Sequence, residues 1–248
     1  MTRLLAFGYG IIAYVVFLLS FLYAIGFVGN LLVPKSIDSG EASSLGMSIL
    51  INAVLLGLFA VQHSVMARPG FKKWWTTFVP KSVERSTYVL FSSLLLLLLF
   101  WQWRPIPTEV WRLDGSIAGT ILTAVFWVGW LTVLVSTFLI SHFDLFGLRQ
   151  IWMRLRNQEY THIGFRSPGL YKFVRHPIMF GFLLAFWGAP VMTQGHLLFA
   201  IATTAYILVG VKLEERDLSQ FYGERYQDYL KTVSAVIPMP RKRRRGAA

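Results

Sequence analysis

The sequence predicts an all-α, polytopic helical bundle of five to six membrane spans. Three observations carry that expectation. Of 248 residues, 55% are apolar and only 15% charged, a balance that belongs to membrane chains. The apolar residues gather in runs of about 20, the length of helix that crosses a hydrocarbon core. The basic residues lie between those runs rather than on one polar face.

Taken in order, the first run covers about residues 4–28. It is too long for the apolar part of a secretory signal and no small-residue cleavage pattern follows, so it reads as a retained span. Runs at 46–67, 87–103 and 118–142 add three more. The next apolar region, 178–213, is interrupted by Gly188-Ala189-Pro190 and by Thr193-Gln194-Gly195. Glycine and proline break helices, so this region predicts a tight hairpin of two shorter arms, which is what separates six segments from five. An amphipathic helix over about 212–231 and a basic end, Arg241-Lys242-Arg243-Arg244-Arg245, complete the chain. The expected organisation is one domain, 1–248: a four-span bundle over 1–142, a loop, hairpin and C-terminal helix over 143–238, and a basic tail over 239–248.

The net charge of +12 follows from topology. Arg68, Lys72, Lys73, Lys81 and Arg85 occupy one loop region, and Arg149, Arg154, Arg156, Arg166, Lys172 and Arg175 another, whereas 29–45 and 104–117 are poor in lysine and arginine. Basic loops stay in the cytoplasm, which puts the N-terminus, both basic loops and the tail there if 178–213 returns as a hairpin. The expected location is the bacterial cytoplasmic membrane with any site facing the cytoplasm. The basic tail is expected to meet anionic membrane lipid rather than nucleic acid. The absence of cysteine excludes disulfides, thiolate nucleophiles and cysteine metal sites, and no HxxxH or HExxH spacing supports a metal.

Several polar residues lie against apolar runs. In Arg175-His176-Pro177, proline takes the first helical position and the free N–H groups beyond it suit an anion; an interfacial anchor is the alternative. Glu214 and Glu215 stand at the exit of the hairpin, either facing a ligand or closing an ion pair with Arg175. His63, beside Gln62, and His142, near Asp144, are intramembrane polar groups that either face a cavity or bond between helices. His196 falls in the outer turn, where solvent is expected.

Together, RHPIMFG, the acidic pair, FYGERYQDYL and Pro238 resemble the C-terminal pattern RHPxYxG, EE, FGxxYxxY, P of the isoprenylcysteine carboxyl methyltransferase-like membrane methyltransferases, over about Thr161 to Pro238. The segments Gln62-His63-Ser64-Val65-Met66-Ala67-Arg68-Pro69, Glu84-Arg85-Ser86-Thr87-Tyr88-Val89-Leu90 and Ser141-His142-Phe143-Asp144-Leu145-Phe146-Gly147-Leu148-Arg149-Gln150 are similar to the methanethiol S-methyltransferases within that family. The resemblance implies a cytoplasmic pocket for S-adenosylmethionine, formed by the loop before RHP and the C-terminal helix. Its contacts would be His162, Phe165, Arg166, Tyr171, Arg175, His176, Pro177, Met179 and Glu214. It implies methylation of a small thiol, methanethiol to dimethyl sulfide. The alternatives are a lipid or prenylated acceptor, or a membrane sensor or transport component without catalysis. Two positions depart from the wider pattern: Met179 replaces its tyrosine, and Gly210 replaces an arginine on the carboxylate side of the substrate. A thiol must ionise to attack, so Arg175 is expected to favour the thiolate and His142 or His63 to take its proton.

Overall fold

The computed structural model describes residues 1–41 and 43–239; the run Arg241–Arg245 lies outside them. Five helices are long and apolar enough to cross a membrane: α1 (Arg3–Gly29), α2 (Leu45–Ala67), α4 (Lys81–Gln102), α5 (Ile117–Ile140) and α9 (Gln194–Tyr222), with the short helix α3 (Pro69–Trp75) between α2 and α4. The chain is a multi-pass membrane protein. Polar caps set most of these starts. Thr2, Ser44, Ser116 and Thr193 each accept a hydrogen bond from an amide in the first turn of α1, α2, α5 and α9.

After α5 the chain makes α6 (His142–Leu145), α7 (Leu148–Leu155), a loop, a short 3₁₀ turn (Gly169–Lys172) and α8 (Pro177–Trp187). The expected hairpin is present with unequal arms. Helix α8 has 11 residues and α9 has 29, so α8 rises about 16 Å and stops inside the bundle. The strand Val191–Thr193 then pairs antiparallel with Glu109–Arg112, Glu109 opposite Thr193, at the end of the bundle away from the start of α8. The C-terminal amphipathic helix is also divided. Helix α9 continues to Tyr222, Gly223 turns the chain with φ 60° and ψ −135°, a conformation glycine adopts without penalty, and α10 (Glu224–Thr232) follows.

Helices α1, α2 and α4 pack together, and α5 lies along α8. The α5–α8 pair is very close. A Cβ on Gly181 would sit 2.7 Å from the Gly129 carbonyl oxygen, and one on Gly129 would sit 2.5 Å from the Ala185 nitrogen. Small residues permit this backbone contact, which drives helix association where lipid removes the hydrophobic incentive.

The end bearing the two strands is closed. Trp103 and Ile37 are fully buried and joined by a 3.0 Å bond from the indole N–H to the Ile37 carbonyl. Asn52, buried in α2, bonds both the N–H and the carbonyl of Arg104 at 2.8 and 2.7 Å. His196, expected in solvent, is 2% exposed, with Nε2 2.9 Å from the Phe186 carbonyl oxygen. The outer connections fold inward over α9 and cover it, an arrangement no local pattern signals.

Candidate functional site

At the opposite end, a cavity of about 320 Å³ lies between the loop before α8, the start of α8 and the last turns of α9 with α10. Its volume falls in the range of small-ligand pockets, about 300–1,000 Å³. One wall is the loop: His162, Phe165 and Arg166, with Tyr171 in the 3₁₀ turn. A second is the entry to α8, Arg175, His176, Ile178 and Met179. The third is Glu214 with Tyr222, Tyr226 and Tyr229. Arg85 and Asp144 complete the rim.

Local bonds hold these walls in place. Tyr222 donates to the Ile163 carbonyl at 3.2 Å, Tyr229 to the Tyr171 carbonyl, and Arg166 to the Ile140 carbonyl at the end of α5. Arg149 ties Asp144 at 3.1 Å to the Thr161 carbonyl at 2.8 Å, so the loop is fastened at both ends. Phe165 meets Tyr226 edge-on at 5.8 Å and Tyr229 at 5.3 Å, which makes an aromatic corner. Burial pushes the Tyr171 and Tyr226 hydroxyls up, so both remain protonated donors at neutral pH.

Charge is arranged at the start of α8. Arg175 and His176 are 7% and 6% exposed. The Arg175 guanidinium meets Glu215 Oε1 through Nε at 2.7 Å and Nη2 at 2.6 Å, while Nη1 donates to the Leu230 and Val233 carbonyls. The backbone N–H groups of Arg175 and His176 donate to Ser234 and Ala235 at 2.9 and 3.0 Å, docking the segment after α10. His176 bridges both acids, with Nε2 3.1 Å from Glu215 and Nδ1 3.4 Å from Glu214. Burial alone would lower its pKa, but the hydrogen bonds and charges of Glu214 and Glu215 reverse that and push it up to about 9. His176 is therefore an imidazolium at neutral pH, and it holds Glu214 at the cavity wall.

The structure brings together His162, Phe165, Arg166, Tyr171, Arg175, His176, Met179 and Glu214 around one cavity. Pro177 is buried directly behind it as the first residue of α8. Arg175 reaches the cavity with its guanidinium already engaged by Glu215 and carbonyls, so it clamps α10 to α8 rather than offering a free charge to a thiolate. His142 and His63 stand outside the wall. His142 lies between Tyr14 at 2.8 Å and Thr137 at 2.9 Å and stacks on Phe138 at 4.2 Å, an interhelical contact. His63 bonds the Tyr88 hydroxyl at 2.8 Å and Ser92 at 3.1 Å, tying α2 to α4.

Sequence reasoning passed over Arg85, Tyr222, Tyr226 and Tyr229 as site residues. Tyr226 and Tyr229 carried a signal, since three residues apart they share one face of α10, whereas Tyr222 joins them only through the turn at Gly223. Arg85 carried none beyond its charge, because the rest of the wall lies far along the chain. It stacks over Tyr88 at 5.7 Å, and among the described residues no carboxylate pairs with it.

No family model matches the chain, and no solved structure matches it. Curated proteins do. It is 58% identical over 243 residues to methanethiol S-methyltransferase 2 of Bradyrhizobium diazoefficiens, covering 98% of this chain and 93% of that one. It is 55% identical over 242 residues to the methanethiol S-methyltransferase of Mycobacterium tuberculosis, covering 98% and 99%. The corresponding protein of Crocosphaera subtropica is 53% identical over 230 residues, covering 93% and 90%. With more than half of the aligned residues shared along nearly all of its length, the chain belongs to the methanethiol S-methyltransferase family.

Proposed function

We propose that this protein transfers a methyl group from S-adenosylmethionine to a small thiol, with methanethiol as acceptor and dimethyl sulfide as product. The observation that carries the reading is a cavity combining Glu214, held by protonated His176, with an aromatic corner and a cation, Arg85, that no carboxylate pairs among the described residues. Family membership points the same way.

The lining fits that donor chemically. A sulfonium calls for a carboxylate and aromatic faces, which Glu214, Tyr226 and Tyr229 supply. An amino-acid carboxylate calls for a cation, and Arg85 is available for it. A planar base calls for apolar and aromatic walls, which Phe165, Ile178 and Met179 provide. When bound, the donor supplies an electrophilic methyl carbon, so that the thiol sulfur forms a new C–S bond while the old one breaks with its electron pair returning to the sulfonium sulfur. The protein's part is alignment and exclusion of water. The loop over 157–168 covers the cavity and Tyr226 presents a hydroxyl donor, while the Tyr171 hydroxyl is engaged by the Ser136 carbonyl at 3.3 Å. The lysine and arginine bias of 67–87 and 143–177 supports a cavity on the cytoplasmic side of the cytoplasmic membrane.

The test is to incubate the purified protein in detergent with methyl-labelled S-adenosylmethionine and methanethiol and to measure labelled dimethyl sulfide in the headspace. Labelled product is expected. Donor binding without labelled sulfide would overturn the thiol assignment, and label appearing in added lipid would replace it with a lipid acceptor.

A further inference from the structure

Helix α9 meets α2 through two polar ties. The Ser64 hydroxyl lies 3.3 Å from that of Tyr206, and Arg68 Nη1 lies 2.8 Å from Asp217 Oδ2. Tyr206 and Asp217 are 11 residues apart, about 16 Å along α9, whereas Ser64 and Arg68 are four apart, about 6 Å along α2. At Tyr206 the seam also carries ring contacts, with Phe59 at 6.2 Å and His63 at 6.5 Å, so the helices meet there through side chains and the next polar tie is the Arg68–Asp217 pair three turns on.

Between the ties lies Gly210. At about 100° per residue it shares the stripe of α9 that carries Tyr206 and Asp217. No heavy atom lies within 4 Å of the place where its Cβ would be. Glycine here is not packed against anything, in contrast to Gly129 and Gly181. One turn further on is Glu214, part of the cavity wall. Outward, apolar residues are exposed: Val209 beside Gly210 on α9, and Val61 and Val65 beside Ser64 on α2. On five helices of membrane length such a surface faces hydrocarbon.

We infer that the gap at Gly210 is the port through which the thiol passes from the bilayer to Glu214, and that Tyr206 sets the largest acceptor it admits. This rests on the functional reading above. A small alkanethiol dissolves in hydrocarbon, the loop over 157–168 covers the cavity's polar side, and the far end of the bundle is closed. A side chain at 210 would fill the gap one turn before Glu214, and the donor affinity shows whether that carboxylate is disturbed as well.

The experiment compares the wild-type protein with Gly210→Leu, Gly210→Ala and Tyr206→Ala, measuring S-adenosylmethionine affinity by calorimetry and methyl transfer to methanethiol and butanethiol. Gly210→Leu is expected to raise the methanethiol KM roughly tenfold, with Gly210→Ala intermediate and donor affinity unchanged. Tyr206→Ala is expected to improve butanethiol relative to methanethiol by roughly tenfold. An unchanged methanethiol KM in Gly210→Leu, or an unchanged acceptor ratio in Tyr206→Ala, overturns the port while leaving the functional reading intact. If Gly210→Leu fails to bind donor, the Gly210→Ala and Tyr206→Ala arms decide the question by the same criteria. A wild-type protein that methylates neither thiol overturns the reading and the port together.

Discussion

Two seams run through this bundle, and both contain glycine for opposite reasons. Between α5 and α8, Gly129 and Gly181 let two backbones touch, and any added atom would collide. Between α2 and α9, Gly210 stands in open space and the helices meet through side chains, at Tyr206 and at the Arg68–Asp217 pair. The first seam holds the short helix α8, and with it the Arg175-His176 corner, in a fixed place. The second stays open beside Glu214. The contrast separates a joint built for rigidity from one that leaves room, and the residue type alone does not tell them apart.

The largest expected effect comes from filling the tight seam. Gly181→Leu should destabilise the protein by about 3 kcal/mol or more, because its side chain meets backbone that cannot move aside. Loss of monodisperse protein in detergent, or a large drop in unfolding temperature, checks this; an unchanged melting curve would remove the distinction between the seams. Next is the charged corner that the tight seam positions. His176 is raised from 6.5 to about 9 in the folded protein, so its stabilising contribution is complete below pH 6.5 and disappears as pH climbs through 9. The unfolding temperature should fall across that window, and His176→Gln should flatten the fall. A smaller effect is expected in the open seam. Arg68→Ala removes a partly exposed pair and should cost about 1 kcal/mol or less, read as a modest drop in unfolding temperature. Smaller still and of opposite sign, Gly210→Ala should raise stability by about 0.5 kcal/mol, since alanine favours the helical backbone and the new methyl group meets no neighbouring element.

The spanning helices were legible because a long apolar run is a length signal that needs no partner. The short arm α8 was half legible: Gly188 and Pro190 marked where it stops, but the ribbon that continues it depends on pairing with Glu109–Arg112, some eighty residues earlier. Much of the site was legible only as a motif. RHP and the acidic pair announced themselves through unusual residues at a membrane boundary, yet nothing local said that Arg175 would take Glu215 and leave Glu214 to the cavity. His196 went astray for a similar reason, since an outer turn looks wet until other turns fold over it. Arg85 shows the limit most clearly: a cation in a basic loop reads as topology until the fold carries it to the opposite wall.

The closed end of the bundle has an electrical consequence. A polar cavity that carries ionised groups into a bilayer is a potential leak for protons and ions across an energised membrane. Trp103, Ile37 and the Asn52–Arg104 clasp close the far end of the bundle, so the cavity offers ions no aqueous path from one face of the bilayer to the other.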